Sequence, residues 1–269
     1  MKQFITLFTA CLFLFGCKSN SEAEDTVVLD PNEEALLEVD AGDTSSIEII
    51  PISHATAVIS WDGSTIYLDP TGGASAFYGM ERPDFVLVTD IHGDHLDPQT
   101  LKELKLKGIP IIAPQAVKDQ LKDSLAQNIT VLNNGETIDQ SGFSVEAIPM
   151  YNLREEAKQF HTRGRGNGYV LQRNGKRLYI AGDTGDIPEM RQLKDIDLAL
   201  IPMNLPYTMP VERAADAVLE FEPKIVYPYH FRGSEGFADV EKFKSLVRAG
   251  NPDTEVIIAN WYPERNQEN

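Results

Sequence analysis

Residues 89–97 read Thr89-Asp90-Ile91-His92-Gly93-Asp94-His95-Leu96-Asp97 and continue the apolar run Asp84-Phe85-Val86-Leu87-Val88. A short run of β-branched, aromatic and aliphatic residues has the pattern of a buried strand. The stretch that follows carries three carboxylates, Asp90, Asp94 and Asp97, and two imidazoles, His92 and His95. Packed at the end of a buried strand, such groups repel one another or lose hydration unless something compensates them. A bound cation removes that conflict, and imidazole with carboxylate is a donor set for Zn, Fe or Mn. The bland alternative is a polar loop that caps the next helix.

Two other strand-like runs end in ligand-type residues. Tyr179-Ile180-Ala181-Gly182-Asp183-Thr184-Gly185 delivers a carboxylate, and Ile225-Val226-Tyr227-Pro228-Tyr229-His230 delivers an imidazole. Each alone reads equally well as a turn or a structural histidine; the three together point to one metal site. The chain has five histidines, and His54, His92, His95 and His230 stand at apparent strand ends, with His161 in a glycine-rich loop. The two cysteines, Cys11 and Cys17, lie near the amino terminus, so a domain beginning after them has neither disulfide nor thiolate ligand. Any metal there must be held by His and Asp.

These motifs, in this order, resemble the metallo-β-lactamase superfamily, whose hallmark is H-x-H-x-D-H. Ser53-His54-Ala55-Thr56 and Tyr67-Leu68-Asp69-Pro70 resemble the early motifs of the branch with ascorbate-6-phosphate lactonase-like and N-acylphosphatidylethanolamine phospholipase D-like proteins. Ala181–Gly185 resembles its bridging-aspartate motif, and Tyr229-His230 its last histidine motif. Two positions depart. Asp90 stands where the family has its first histidine, and Tyr151-Asn152 stand where its third-motif histidine is expected. His161, in Phe160-His161-Thr162-Arg163-Gly164-Arg165-Gly166-Asn167-Gly168-Tyr169, is the substitute ligand on this reading, with Asn152 left open for the same role. The resemblance then implies one site of Asp90, His92 and His161, a second of Asp94, His95 and His230, and Asp183 bridging them. It implies one or two divalent ions, zinc first, with manganese or iron as alternatives. Asp94 would also orient the attacking water. His54, Asp69 and Asn152 would act behind the ligands, orienting them by hydrogen bonds.

The resemblance also implies an α/β fold, a four-layer αββα sandwich, over residues 47–269. Patterning agrees with layered α/β architecture without singling out this one. Strands are predicted at Ile47–Ile52, Thr56–Trp61, Thr65–Leu68, Asp84–Thr89, Ile109–Ala113, Ile129–Leu132 and Phe143–Pro149. A hairpin around Asn174-Gly175 and strands at Ile196–Pro202, Ile225–Tyr229 and Val256–Ala259 follow. Helices are predicted at Pro98–Lys107, Gln115–Leu125, Pro210–Phe221 and Phe237–Ala249.

Before the domain, Lys2 and the apolar run Phe4–Gly16 have the length of a secretory signal rather than of a membrane span. Leu14-Phe15-Gly16-Cys17 resembles a bacterial lipobox, which implies a signal peptide of residues 1–16 and a lipid anchor on Cys17 in the bacterial cell envelope, periplasmic or surface-facing. Residues 17–46 read as an acidic tether: from Glu22 to Glu48 there are ten acidic residues and no Lys or Arg. A chain of formal charge −17 is a poor partner for nucleic acid.

The chemistry implied is metal-dependent hydrolysis of an ester-type bond. Arg154, Arg163, Arg165 and Arg232 lie close in sequence to His161 or His230 and suggest a small or lipid-like anionic substrate such as a phosphoester or phosphodiester, with Arg163 and Arg165 taken as its contacts; surface salt bridges are the other reading of these arginines. Tyr207, and with it Met209, would line the cleft. Lactone or amide hydrolysis, and a binding lipoprotein that has lost turnover, are the other two readings.

Overall fold

A computed structural model of the chain describes residues 46–121 and 125–263. The signal peptide, Cys17 and the acidic tether lie outside the described residues. The first sheet takes its strands in chain order: β1 (Ile47–Ser53), β2 (Thr56–Trp61), β3 (Ser64–Leu68), β4 (Phe85–Leu87), β5 (Ile111–Ala113) and β6 (Ile129–Val131). β1 to β3 pair antiparallel and β3 to β6 parallel, with α1 (Pro98–Glu103) and α2 (Gln115–Gln120) in the later crossovers.

The second sheet repeats the scheme. β7 (Thr137–Gln140), β8 (Phe143–Met150), β9 (Gly166–Arg173) and β10 (Lys176–Ile180) form an antiparallel meander. β11 (Leu198–Pro202), β12 (Ile225–Tyr229) and, beyond a small hairpin of β13 (Arg232–Gly233) with β14 (Gly236–Phe237), β15 (Glu255–Val256) then add in parallel. Helices α3 (Pro188–Arg191), α4 (Val211–Phe221) and α5 (Val240–Gly250) belong to this half.

The alternation of side chains explains the layering. In β2, Ala57, Ile59 and Trp61 join the large core that both sheets share, while Val58 faces the smaller core beneath α1 and α2. Phe85 and Leu87 against Val86 and Val88 repeat the division around β4. A strand buried on both faces must be apolar at every position, which is why the run before Asp90 shows no polar alternation. Helix α4 buries Val211, Ala214, Ala215 and Val218, an i, i+3, i+4, i+7 stripe, against the outer face of the second sheet. Helices therefore flank two stacked sheets, the α/β architecture expected.

Several boundaries differ from the sequence expectation. α1 begins as predicted, with Asp97 accepting from the Gln99 amide and Pro98 opening the helix, but it stops at Glu103. Lys105 then adopts a left-handed φ of 52°. The last helix starts at Val240, not Phe237, because the Asp239 carboxylate caps the Lys242 amide and Phe237 pairs in the small hairpin. The edge strand β7 and the one-turn α3 were not foreseen; Thr137–Gln140 alternates exposed and half-buried residues and carries little apolar signal.

Candidate metal centre

The donors collect at the carboxyl ends of the parallel strands of both sheets. Asp69 follows β3, the Asp90–His95 loop follows β4, Asp183 follows β10, Asn204 follows β11 and His230 follows β12. Three of these turns hold non-glycine residues at positive φ: Asp69 at 42°, His230 at 45° and, between β1 and β2, His54 at 58°. Each such conformation costs about 1–3 kcal/mol and persists where surrounding structure fixes it. Two glycines admit the close approach. A Cβ at Gly166 would lie 2.9 Å from the Thr89 carbonyl, whose oxygen accepts from the Asn167 amide at 2.9 Å and so ties the two sheets at the site. Gly182, at φ 66°, would bring a Cβ to 2.5 Å from Met150 Sδ.

Three groups that could hold a metal ion result, two of them sharing His230: Asp90 with His92 and His161, His95 with Asp183 and His230, and His54 with Asp94 and His230. Asp183 sits between them. Its Oδ2 is 3.1 Å from His161 Nε2 and 3.4 Å from His95 Nε2, and its Oδ1 is 3.3 Å from His230 Nε2. His95 Nε2 and His230 Nε2 are only 3.2 Å apart. Asp94 Oδ2 lies 3.3 Å from both His230 Nε2 and His54 Nε2.

Outer groups aim these ligands. The buried Asp69 accepts from the Thr89 amide at 2.7 Å and the Thr89 hydroxyl at 2.6 Å, and holds His95 Nδ1 at 2.7 Å. That hydrogen bond places the ring hydrogen on Nδ1 and turns Nε2 toward Asp183. His161 Nδ1 donates to the Tyr207 carbonyl at 3.1 Å. Asn152 donates to the same carbonyl at 2.7 Å and to that of Ala157 at 2.9 Å, so its amide nitrogen braces the loop behind His161, while its buried Oδ1 makes no hydrogen bond. His54 takes part more directly than its expected orienting role: its ring stands 3.9 Å from that of His230, and the Tyr262 hydroxyl holds its Nδ1 at 2.8 Å.

The electrostatics follow from burial set against close opposite charge. Burial alone would raise Asp183, but His230, His95 and His161 outweigh it and hold the carboxyl well below the usual range. Burial likewise opposes ionisation of Asp94 and Asp90; hydrogen bonds from His230 and His54 in one case, and His92 with the charge of Arg165 in the other, keep both low. Burial opposes an imidazolium at His95 as well, yet Asp183 and Asp69 together raise it well above the ordinary value. Burial lowers His54 despite its bond to Asp94. This is a set of carboxylates ionised at neutral pH facing imidazoles. Two of its buried atoms, His161 Nε2 and Asp183 Oδ1, make no hydrogen bond. Such donors fit a divalent cation.

A cavity of about 300 Å³ opens on this cluster, walled by His54, His92, Asp94, Phe160, His161, Asp183, Asn204, Tyr207, His230 and Arg232. Tyr207 thus lies where the sequence reading put it. The two arginines chosen for substrate do not. Arg163 is 66% exposed, pairs with Glu189 at 2.6 Å and lies over the Tyr151 ring. Arg165 is turned inward and forks onto Asp90. Met209 is buried in the core. The arginine on the cavity wall is Arg232, and Asn204, whose amide is 3.2 Å from His230 Nδ1, was missed altogether. Arg232 stands among the arginines close in sequence to His230, whereas Asn204 carries no signal beyond its place in the Asn204–Pro210 loop.

Two stacked sheets flanked by helices, with a buried His/Asp cluster at their carboxyl ends, define a metal-dependent hydrolase of the metallo-β-lactamase type. The comparisons agree. Residues 48–230 match the family model described as a β-lactamase superfamily domain, and the chain belongs to that superfamily. A UPF0173 metal-dependent hydrolase of Methanopyrus kandleri is 30% identical over 217 residues, covering 77% of this chain and 94% of the relative. A crystal structure from Parabacteroides distasonis, of a protein assigned as a metal-dependent hydrolase, is 35% identical with a TM-score of 0.71, covering 81% of this chain and 94% of that one. The metallo-β-lactamase fold protein YhfI of Bacillus subtilis shares the fold at 12% identity, with a TM-score of 0.59 over 80% of this chain and 95% of that one.

Proposed function

We propose that this hydrolase cleaves a phosphoester or phosphodiester and works in the bacterial envelope, tethered by lipid on Cys17. One observation carries the substrate reading. Among the described residues Arg232 has no carboxylate partner, although the chain carries a formal charge of −17, and it lines the wall of the donor cavity. Arg154, Arg163, Arg165, Arg191 and Arg213 are engaged by carboxylates; Arg82 and Arg248, like Arg232, have no carboxylate partner among the described residues, but neither lines this cavity. A guanidinium that lies over the Tyr262 ring, without a carboxylate, beside a metal centre suits an anionic oxygen such as that of a phosphoryl group.

A divalent ion held by His95, Asp183, His230 and Asp94, with a second by Asp90, His92 and His161, would supply Lewis acidity and lower the pKa of water from 15.7 to about 7. The chain's own groups do the rest. Asp94, 41% exposed on its side chain, is the more open of the two carboxylates on the cavity wall and can orient an attacking water. His54 stands beside it as a neutral imidazole, and Arg232 holds the anionic substrate against the cluster. A second cavity of about 480 Å³ shares Arg232 and is otherwise walled by residues that include Ile52, Ala76, Phe237 and Tyr262. Ser53 and Thr71 also line it, so it gives room for a larger substrate with both apolar and polar parts.

Hydrolysis of bis-p-nitrophenyl phosphate by Zn- or Mn-loaded protein, beside a lactone and amide panel, tests the bond type. Arg232→Gln should raise KM for the phosphodiester about tenfold or more, the worth of one charge-assisted contact, and leave neutral substrates unaffected. Turnover confined to lactones or amides would overturn the phosphoester assignment. Labelling with palmitate, lost in Cys17→Ser, tests the anchor.

A further inference from the structure

We propose that Arg165 makes the two halves of the metal centre unequal: the Asp90/His92/His161 side is a weak, exchangeable site, and the His95/Asp183/His230 side holds its ion tightly. The proposal rests on the metal-dependent hydrolase reading and concerns how this chain departs from an evenly built centre.

Asp90 is fully buried, and both its oxygens are taken. Arg165 donates from Nε to Oδ1 at 3.1 Å and from Nη2 to Oδ2 at 2.8 Å. The fork cannot swing away easily, because Nη2 also donates to the Phe160 carbonyl at 2.5 Å. His92 Nδ1 lies 2.8 Å from the same Oδ2, and His161 Nε2 lies 3.8 Å from it. A bidentate guanidinium occupies lone pairs that a cation would use and cancels the charge that would attract it.

The opposite half has no such cation. Asp94 pairs with His54, His95 and His230, and Asp183 with His95, His161 and His230; no arginine pairs with either among the described residues. Counting charge, Asp90 and Arg165 sum to zero, whereas Asp94 keeps its full negative charge beside the shared Asp183. The two halves also differ in outer support: Asp69 aims His95, while the partner of Asp90 is a competitor for its oxygens.

The test is a Zn²⁺ titration of the full-length protein, stripped by chelation, against a competing chromophoric chelator, with bound zinc per chain measured by elemental analysis. The unaltered protein should take up zinc in two steps at least about tenfold apart, the scale on which groups behind a ligand tune affinity. Arg165→Gln should tighten the weaker step about tenfold or more and move the tight step by less than about threefold. Two ions entering in one step, or a spacing that Arg165→Gln leaves unchanged or widens, would overturn the proposal. If Arg165→Gln does not fold, Arg165→Lys serves instead; a single ammonium cannot fork onto both Asp90 oxygens, so the two steps should move closer, and a spacing that stays the same or widens refutes the argument. Failure to bind any zinc would remove the metal-dependent reading itself, a result distinct from two equal sites.

Discussion

Asp69→Asn isolates how much the centre depends on a residue that touches no metal. Asp69 is buried without exposure and holds three hydrogen bonds: the Thr89 amide at 2.7 Å on Oδ1, and the Thr89 hydroxyl at 2.6 Å and His95 Nδ1 at 2.7 Å on Oδ2. The substitution keeps the shape. The oxygen facing the Thr89 amide can remain an acceptor, but the atom facing His95 becomes a donor. His95 must then lose the bond or move its hydrogen to Nε2, the nitrogen 3.4 Å from Asp183 and 3.2 Å from His230. Either outcome spoils a ligand without touching the ligand set. Loss of such a partner lowers metal affinity by about 10–100-fold, which is about 1.4–2.8 kcal/mol. Saturating zinc should raise the melting temperature less by the same free energy. Chelator competition on variant protein with unchanged circular dichroism measures the affinity directly. A zinc affinity within about twofold of the unaltered protein would refute the claim that Asp69 sets the His95 tautomer.

Zinc should stabilise the chain more at pH 8 than at pH 6. In the metal-free protein burial opposes an imidazolium at His95, but Asp183 and Asp69 raise its pKa, so that stabilisation is full below about 6.5 and fades as pH rises through the raised value. Zinc displaces the same proton and gains over that window; equal thermal shifts at both pH values would contradict this. Arg191→Met should cost about 1–2 kcal/mol, because it strips the nearly buried Asp186 of a 2.7 Å partner while Arg213 still compensates its charge; the urea midpoint, at constant slope, reads it. Gly182→Ala should destabilise by about 1–2 kcal/mol from its φ of 66° alone, and more from the contact with Met150, so an unchanged thermal melt would count against the close approach described.

Much of the fold was legible because its strands are buried on both faces. Phe85–Leu87 and Leu198–Pro202 are apolar runs for that reason, and the cap Asp97 marks its helix start through local geometry. β7 was invisible because an edge strand buries little, and Phe237 was misassigned to a helix because its pairing partner in the hairpin, not its propensity, decides its state.

The same division runs through the site. Local sequence determined which residue types stand at the strand ends: Asp90, His92, Asp94, His95, Asp183 and His230 are there because each ends or follows a run whose own pattern makes it a strand. Tertiary structure alone decided what those residues face. Arg165 reaches Asp90 across 75 positions, His161 meets the Tyr207 carbonyl across 46, and His54 is held by Tyr262 across 208. A long side chain such as arginine selects its partner by proximity in space, and its chemistry suits substrate, solvent or a buried carboxylate equally. Sequence could therefore name candidate ligands, while only the packed sheets showed that one of them, Asp90, is already paired with a cation of the chain's own.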